Sequence, residues 1–273
     1  MRTLTTDDFN RTCPSFYATA PKGDVSEKYG FINSREIAVM LWDLGWKPVW
    51  ATESRAVSPE NKGYTKHMVR FVHKDMDLGD ERIELLGVNS HNRSAAYKFL
   101  ASVRRKICDN GLHANTSSFG DFRIRHTGDV ESRVVEAVKG ITSSASQVAG
   151  HIDRLKDIEL TPNEQGVFAS EVHSYIWPMG GPVSVKDILK PRRGFDSEGG
   201  DYYKFGSDLP KKDLWTTYNV VQENLMKGGL KGRATTGRKT TTRAIKSIDR
   251  DVKLNQALWS LTEHMADLKQ GAA

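Results

Sequence analysis

The sequence predicts an α+β fold: an N-terminal antiparallel sheet, built on a β-hairpin and crossed by a helix, then a helical lobe carrying a basic loop. Three observations predict it. Between Lys47 and Val88, short β-rich runs alternate with polar loops containing Pro, Gly and Asp. From Val130 onward, apolar residues recur every three or four positions. Finally, the excess positive charge is concentrated in one Gly/Thr-rich stretch, residues 227–250. A length of 273 residues suits one large domain or a compact domain with a second lobe.

Residues 1–30 are polar and broken by Pro14 and Pro21, so they read as an arm with few anchors. Residues 33–44 place Ile37, Met40, Leu41 and Leu44 at helical spacing, with Asn33 or Ser34 as the cap and Gly45 as the stop. Residues 47–57 and 65–74 are β-rich runs around a polar loop with Pro59 and Gly63, which predicts a hairpin; residues 82–88 make a third strand. Asn89-Ser90-His91 then ends that strand and opens a helix over 93–109, whose Ala96, Phe99, Leu100, Val103 and Ile107 form one stripe. Residues 121–126 alternate as a fourth strand. The expected core, 31–128, is thus α-β-β-β-α-β.

The expected helical lobe is 129–273. Val134, Val138, Ile141, Ala145, Val148, Ile152 and Leu155 step by four and three, an a/d seam that needs a partner helix in this chain or another. The Thr-Ser-Ser-Ala-Ser stretch in its middle weakens helix propensity. Thr161-Pro162-Asn163-Glu164 is a capping box with proline at the first helical position, opening a helix to Ile176. A short turn or helix at 187–189 and a Gly/Asp/Tyr loop at 192–208 follow. Helices over 214–226 and 248–268 bracket the basic segment.

Lys plus Arg number 40 against 34 Asp plus Glu, a net charge of +6. The 227–250 stretch holds Lys227, Lys231, Arg233, Arg238, Lys239, Arg243, Lys246 and Arg250 against Asp249 alone, so the remainder is close to neutral. A mobile basic loop of this composition suits phosphate backbones, where each neutralised phosphate releases a counterion. No run is long and apolar enough to span a membrane, and the first residues lack the apolar stretch of a signal peptide. Cys13 and Cys108 make neither a disulfide framework nor a zinc site, which places the chain in a reducing cytoplasm.

No catalytic constellation, metal site or cofactor motif is expected. His67 and His73 share a strand face but stand apart, and Cys108, at a helix end, has no base beside it. The stretch from Gly232 to Thr240 approximates a phosphate loop, yet has one residue too many before Lys239 and follows a helix instead of a strand, so ATP binding is not expected. Glu53, Asp121, Asp129 and Glu131 are the carboxylates a metal-dependent nuclease would use, though their spacing singles out none of them.

Tyr64-Thr65-Lys66-His67-Met68, Asn89-Ser90-His91, Cys108-Asp109-Asn110-Gly111-Leu112 and Gly128-Asp129-Val130 are similar to motifs of a phage, prophage and plasmid family, the domain of unknown function 932 or UPF-0380 group. Asp213-Leu214-Trp215-Thr216, Gln222-Glu223-Asn224, Lys227-Gly228-Gly229, Thr242-Arg243-Ala244-Ile245 and Lys253-Leu254-Asn255-Gln256-Ala257-Leu258-Trp259 resemble its strongest block. The resemblance covers nearly the whole chain. It departs over 194–212, onto which nothing is carried. It implies a mobile element in a bacterial cytoplasm.

The expected hairpin, third strand and crossing helix also resemble the Rad-type, RecT and Redβ single-strand annealing proteins. That resemblance implies ATP-independent annealing of single-stranded DNA by a homo-oligomeric ring or filament, alongside host or phage recombination and replication proteins, with no membrane role. Arg55, Lys66, Arg70 and Lys74 are then groove residues, joined by Arg104, Arg105 and Lys106 on the crossing helix. Lys231, Arg233, Arg238, Lys239 and Arg243 form a phosphate clamp, and Tyr64 or Trp50 stacks on bases. Two other readings stand beside it. One is a protein that uses the helical seam to inhibit a host defence or replication component; the other is the nuclease. At single positions a purely structural role competes: Asn89 and Ser90 as helix caps, Arg243 and Asp249 paired with each other or with other helices.

Overall fold

The structure is a computed structural model that describes residues 2–23, 30–106, 110–113, 121–124, 130–192 and 212–271. The fold is α+β, and the chain divides into two compact units: Met1–Arg104 with His113–Ser146, and Arg105–Leu112 with Gln147–Ala273. The expected loop at 192–208 lies, apart from Arg192, outside the described residues, as do Cys108, Asp109, Gly128 and Asp129.

In the first unit the N-terminal stretch is anchored, contrary to expectation. Helix α1 (Thr6–Thr12) starts with a capping box in which Thr5 and Asp8 satisfy each other's backbone amides. A one-turn 3-10 segment, Pro14–Tyr17, stacks Phe16 on Phe9 at 4.2 Å between ring centroids, and Phe9, Cys13 and Phe16 are all buried. Polar composition hid these anchors because a few residues, Phe9, Cys13, Phe16 and Tyr17, do the packing. Helix α2 (Ser34–Asp43) is capped by Asn33, whose side chain accepts from the amides of Arg35 and Glu36. Gly45 follows at φ +87°, where a Cβ would lie 2.4 Å from Nε2 of His73; sterics and backbone both require glycine.

Strands β1 (Lys47–Glu53), β2 (His67–Leu78) and β3 (Glu81–Asn89) form an antiparallel meander in which Glu53 faces His67 and His67 faces Asn89. The crossing helix expected over 93–109 does not exist: Tyr97–Arg105 is strand β4. Its stripe fits a helix, but nearly every residue from Phe99 to Arg105 is buried, so there is no polar face for a helix to show to water. Tyr97, Phe99 and Val103 favour an extended chain, and Arg93 at φ +65° turns the loop before it. The sheet order is β1-β2-β3-β4-β5, with β5 at Asn110–His113, and β6 (Asp121–Ile124) also pairs β4.

The seam forms two helices instead of one: α3 (Val130–Ser143) and α4 (Ala145–Asp157). The break falls in the Thr/Ser stretch, where the hydroxyls of Thr142, Ser143 and Ser144 donate back to the carbonyls of Val138, Gly140 and Ile141 at 2.8–2.9 Å. Val134, Val138, Ile141, Val148, Ile152 and Leu155 are all buried, so the seam is spent within this chain. α3 packs on β6.

The second unit also contains α5 (Pro162–Ile176), opened by the expected Thr161/Glu164 capping box, and α6 (Val185–Ile188). α7 (Leu214–Lys227) and α8 (Ile248–Gly271) complete it. α7 is its central element, buried from Leu214 through Leu225, with Tyr218 packed on Trp215 and edge-on to Trp259. Several of its polar residues pair internally: Gln165 donates to Thr217 at 2.9 Å, Asn219 donates to the Trp215 carbonyl, and Gln222 donates to Asn255. α4 meets α8 through His151 on Trp259 and Arg154 on Asp267. Among the described residues no helix is long and apolar enough to cross a membrane.

Candidate nucleic-acid interface

The basic segment is not a loose loop. Lys231–Arg233 (β7) and Lys239–Thr241 (β8) pair as an antiparallel hairpin, with Lys231 opposite Thr241, Gly232 opposite Thr240 and Arg233 opposite Lys239. Its turn closes through Ala234 and Arg238, with Gly237 at φ +79° where a side chain is disfavoured. The stretch approximating a phosphate loop is therefore a strand, a turn and a strand. It lacks the strand-to-helix geometry that aims amides at a nucleotide.

Side chains alternate along a strand, so Lys231, Arg233, Lys239 and Thr241 share one face and Gly232 and Thr240 the other. The glycine side is docked: the Arg233 amide donates to the Pro182 carbonyl at 2.8 Å, and a Cβ on Gly232 would sit 1.8 Å from that oxygen. The cationic side chains are exposed, and Arg238 extends the charge through the turn. Arg233 and Lys239 are directly opposed like charges, which disfavours the free hairpin. Among the described residues, none of Lys231, Arg233, Arg238 and Lys239 forms an ion pair.

At the foot of β8 the chain enters a cleft of about 600 Å³. Arg243, Arg250 and Lys253 line it, all exposed and, among the described residues, without an ion pair; Arg243 does not pair with Asp249. Tyr175 and Trp177, from the end of α5, form its aromatic wall, while Leu225, Ile245 and Leu254 supply an apolar floor. Asn224 holds the region together: it donates to the carbonyls of Ile188 and Lys190 and accepts from Arg192 at 2.8 Å. Gly228, at φ +60°, lies so close to Arg243 that a Cβ would meet its backbone at 2.5 Å.

The groove residues expected in the first unit fare differently. Arg70 and Arg104 are buried and both donate to Glu84 at 2.8 Å; Arg82 joins them at 2.6 Å. Burial by itself raises the Glu84 carboxyl, but Arg104 and Arg70 override it and hold its pKa at about 2. These guanidiniums are core structure. Arg105 is buried as well, and Lys106 is exposed just after β4. Arg55 and Lys74 are exposed, while Lys66 is half-buried, its carbonyl bonded to Ser54. Trp50 is partly exposed with the Arg70 guanidinium 5.5 Å from its ring, and Tyr64 is half-buried.

The motif residues around β2 and β3 meet in a buried polar cluster that sequence spacing did not reveal. Nδ1 of His67 donates to the Thr65 carbonyl at 3.0 Å, so Nε2 is the acceptor and takes the Ser34 hydroxyl proton at 2.8 Å. Asn89 donates to the same hydroxyl oxygen at 3.0 Å and to the Ile32 carbonyl, and His91 Nε2 stands 3.5 Å from it. Burial depresses the His67 pKa to about 4, keeping it neutral. Ser34, His67, Asn89 and His91 are all sealed from solvent, so the cluster fixes α2 to the sheet. Asn89 is thus a core hydrogen-bonding residue; no helix follows it to cap. Of the carboxylates considered for a nuclease, Glu53 accepts from the Ser15 amide. The side chains of Asp121, Asp129 and Glu131 lie outside the described residues.

Residues 21–259 match the family model described as "Domain of unknown function (DUF932)". The chain is 35% identical to UPF0380 protein YfjQ of Escherichia coli (strain K12), over 263 residues that cover 96% of this chain and 91% of that protein. It is 34% identical to UPF0380 protein YafZ of the same organism, with the same coverage. No solved structure matches it.

Proposed function

The chain belongs to the domain of unknown function 932 family, and from that premise we propose that it binds single-stranded DNA in a bacterial cytoplasm without hydrolysing nucleotides. Strand annealing by a homo-oligomer is the activity that such binding would serve. One observation carries this reading: an ordered hairpin docked by its glycine side, which turns exposed Lys231, Arg233 and Lys239 outward with, among the described residues, no carboxylate paired to them. Opposed like charges on so small a scaffold cost stability, and an anion threading along the hairpin relieves that cost. A phosphate backbone supplies a series of such anions.

The reading no longer draws on the crossing helix, since β4 replaces it. Arg70, Arg104 and Arg105 leave the interface because they are buried. Lys231, Arg233, Arg238, Lys239 and Arg243, all in the second unit, remain. The host-inhibitor alternative loses its feature, as the helical seam is buried inside the chain.

Fluorescence anisotropy with labelled single-stranded and duplex DNA of one sequence, titrated across salt and paired with sedimentation, tests the proposal. Salt-steep binding that favours the single strand and drives assembly supports it. Absence of binding at low salt overturns it.

A further inference from the structure

We propose that the cleft beside the hairpin is a nucleotide pocket, receiving one unstacked base against Tyr175 and its flanking phosphates on Arg243, Arg250 and Lys253. This inference rests on the single-strand reading and adds what makes the strand single: a site that only an unpaired base can enter.

The chemistry of the lining supports that occupant. The volume, about 600 Å³, lies within the roughly 300–1,000 Å³ of small-ligand sites. The floor of Leu225, Ile245 and Leu254 is apolar, as a base face requires, and the rim is cationic, as its phosphates require. Tyr175 is 55% exposed, and its ring is the available stacking face. Trp177 is committed differently. It packs over Gly181, where a Cβ would meet the indole at 2.7 Å, and against His173 at 4.9 Å, so it is a fixed wall.

Arg243, Arg250 and Lys253 converge from two elements, the foot of β8 and the first turns of α8. The cleft also continues directly into the hairpin through Thr241 and Thr242. A strand following Lys239 and Arg233 therefore runs into it. A duplex cannot, because its bases are stacked and paired.

The test uses the full chain and two probes. Labelled oligothymidylate and its duplex, measured by anisotropy across salt, report the strand. A 5′-phosphorylated thymidine dinucleotide, too short to span the hairpin and the cleft together, reports the pocket alone through NMR saturation transfer to its thymine protons. Tyr175→Ala is expected to weaken the single strand roughly 5- to 150-fold with the salt slope and duplex binding unchanged, and to abolish saturation transfer. Tyr175→Phe retains both signals. Paired Arg243→Gln and Arg250→Gln lower the salt slope.

Wild-type strength in Tyr175→Ala, or equal loss on single strand and duplex, overturns the pocket while leaving the hairpin reading intact. Dinucleotide saturation transfer from a wild type that fails to bind the oligonucleotide overturns the strand-binding function but supports the pocket. Absence of both signals overturns both.

Discussion

Neutralising the hairpin should change salt dependence before it changes anything else. Replacing Arg238 and Lys239 with glutamine leaves the fold intact, because Arg238 sits exposed in the turn and Lys239 contributes to β8 through its backbone. The magnitude follows from counting charges. Each phosphate contact on a single strand contributes about 0.7 to the slope of log affinity against log salt. Two lost contacts flatten the slope by about 1.4, and at a tenth molar salt this amounts to roughly 25-fold weaker binding. The loss should be similar for every sequence, since phosphates carry no sequence information. Relief of the Arg233–Lys239 repulsion should simultaneously raise thermal stability slightly. Anisotropy at four or more salt concentrations reads the slope directly. An unchanged slope in the double variant would refute the clamp, whatever happened to the affinity.

Other expectations concern the scaffold. Glu84→Gln leaves Arg70 and Arg104 buried without their shared carboxylate and should cost about 3–5 kcal/mol in denaturant unfolding; a loss under 1 kcal/mol would contradict a structural role for the cluster. His67 is held neutral, so protonation favours the unfolded chain: its contribution is complete above about pH 6.5 and lost as pH falls toward 4. The full loss is about 3 kcal/mol, and His67→Asn should remove that slope from the stability profile; an unaltered slope would locate the acid sensitivity elsewhere. Gly232→Ala forces a methyl into the Pro182 carbonyl, so amide exchange should accelerate across 231–241 and single-strand binding should fall, while the α7–α8 core keeps its protection.

The helices were legible where local chemistry and burial agree. Asn33, Thr161 and Asp213 each cap a helix, and Val134, Val138, Ile141, Val148, Ile152 and Leu155 of the 4,3 spacing are buried. Residues 97–105 misled because a strand covered on both faces has no polar alternation, and its apolar residues then fit a helix by chance. The hairpin was hidden for the opposite reason. Lys231-Gly232-Arg233 and Lys239-Thr240-Thr241 have no apolar face, and what orders them is the Pro182 backbone, fifty residues earlier in the chain. Gly237, with the threonines before it, was the turn signal available in the sequence.

The candidate site divides along the same line. Charge clustering located the residues that face solvent, Lys231 through Arg243, because an excess of cations over acids in a short segment cannot be neutralised locally. Charge alone misassigned Arg70 and Arg104, whose partner Glu84 lies on a neighbouring strand. Tyr175 and Trp177 carry no motif. Only packing brings the end of α5 to the foot of β8.

Photocrosslinking of a bromodeoxyuridine-substituted single strand, with the adducts mapped by mass spectrometry, tests the central claim most directly. The account predicts adducts at Tyr175 and within 231–253, abolished by an excess of unlabelled single strand and spared by an equal excess of duplex. Adducts confined to the first unit, or none above background while the protein remains folded, would contradict it.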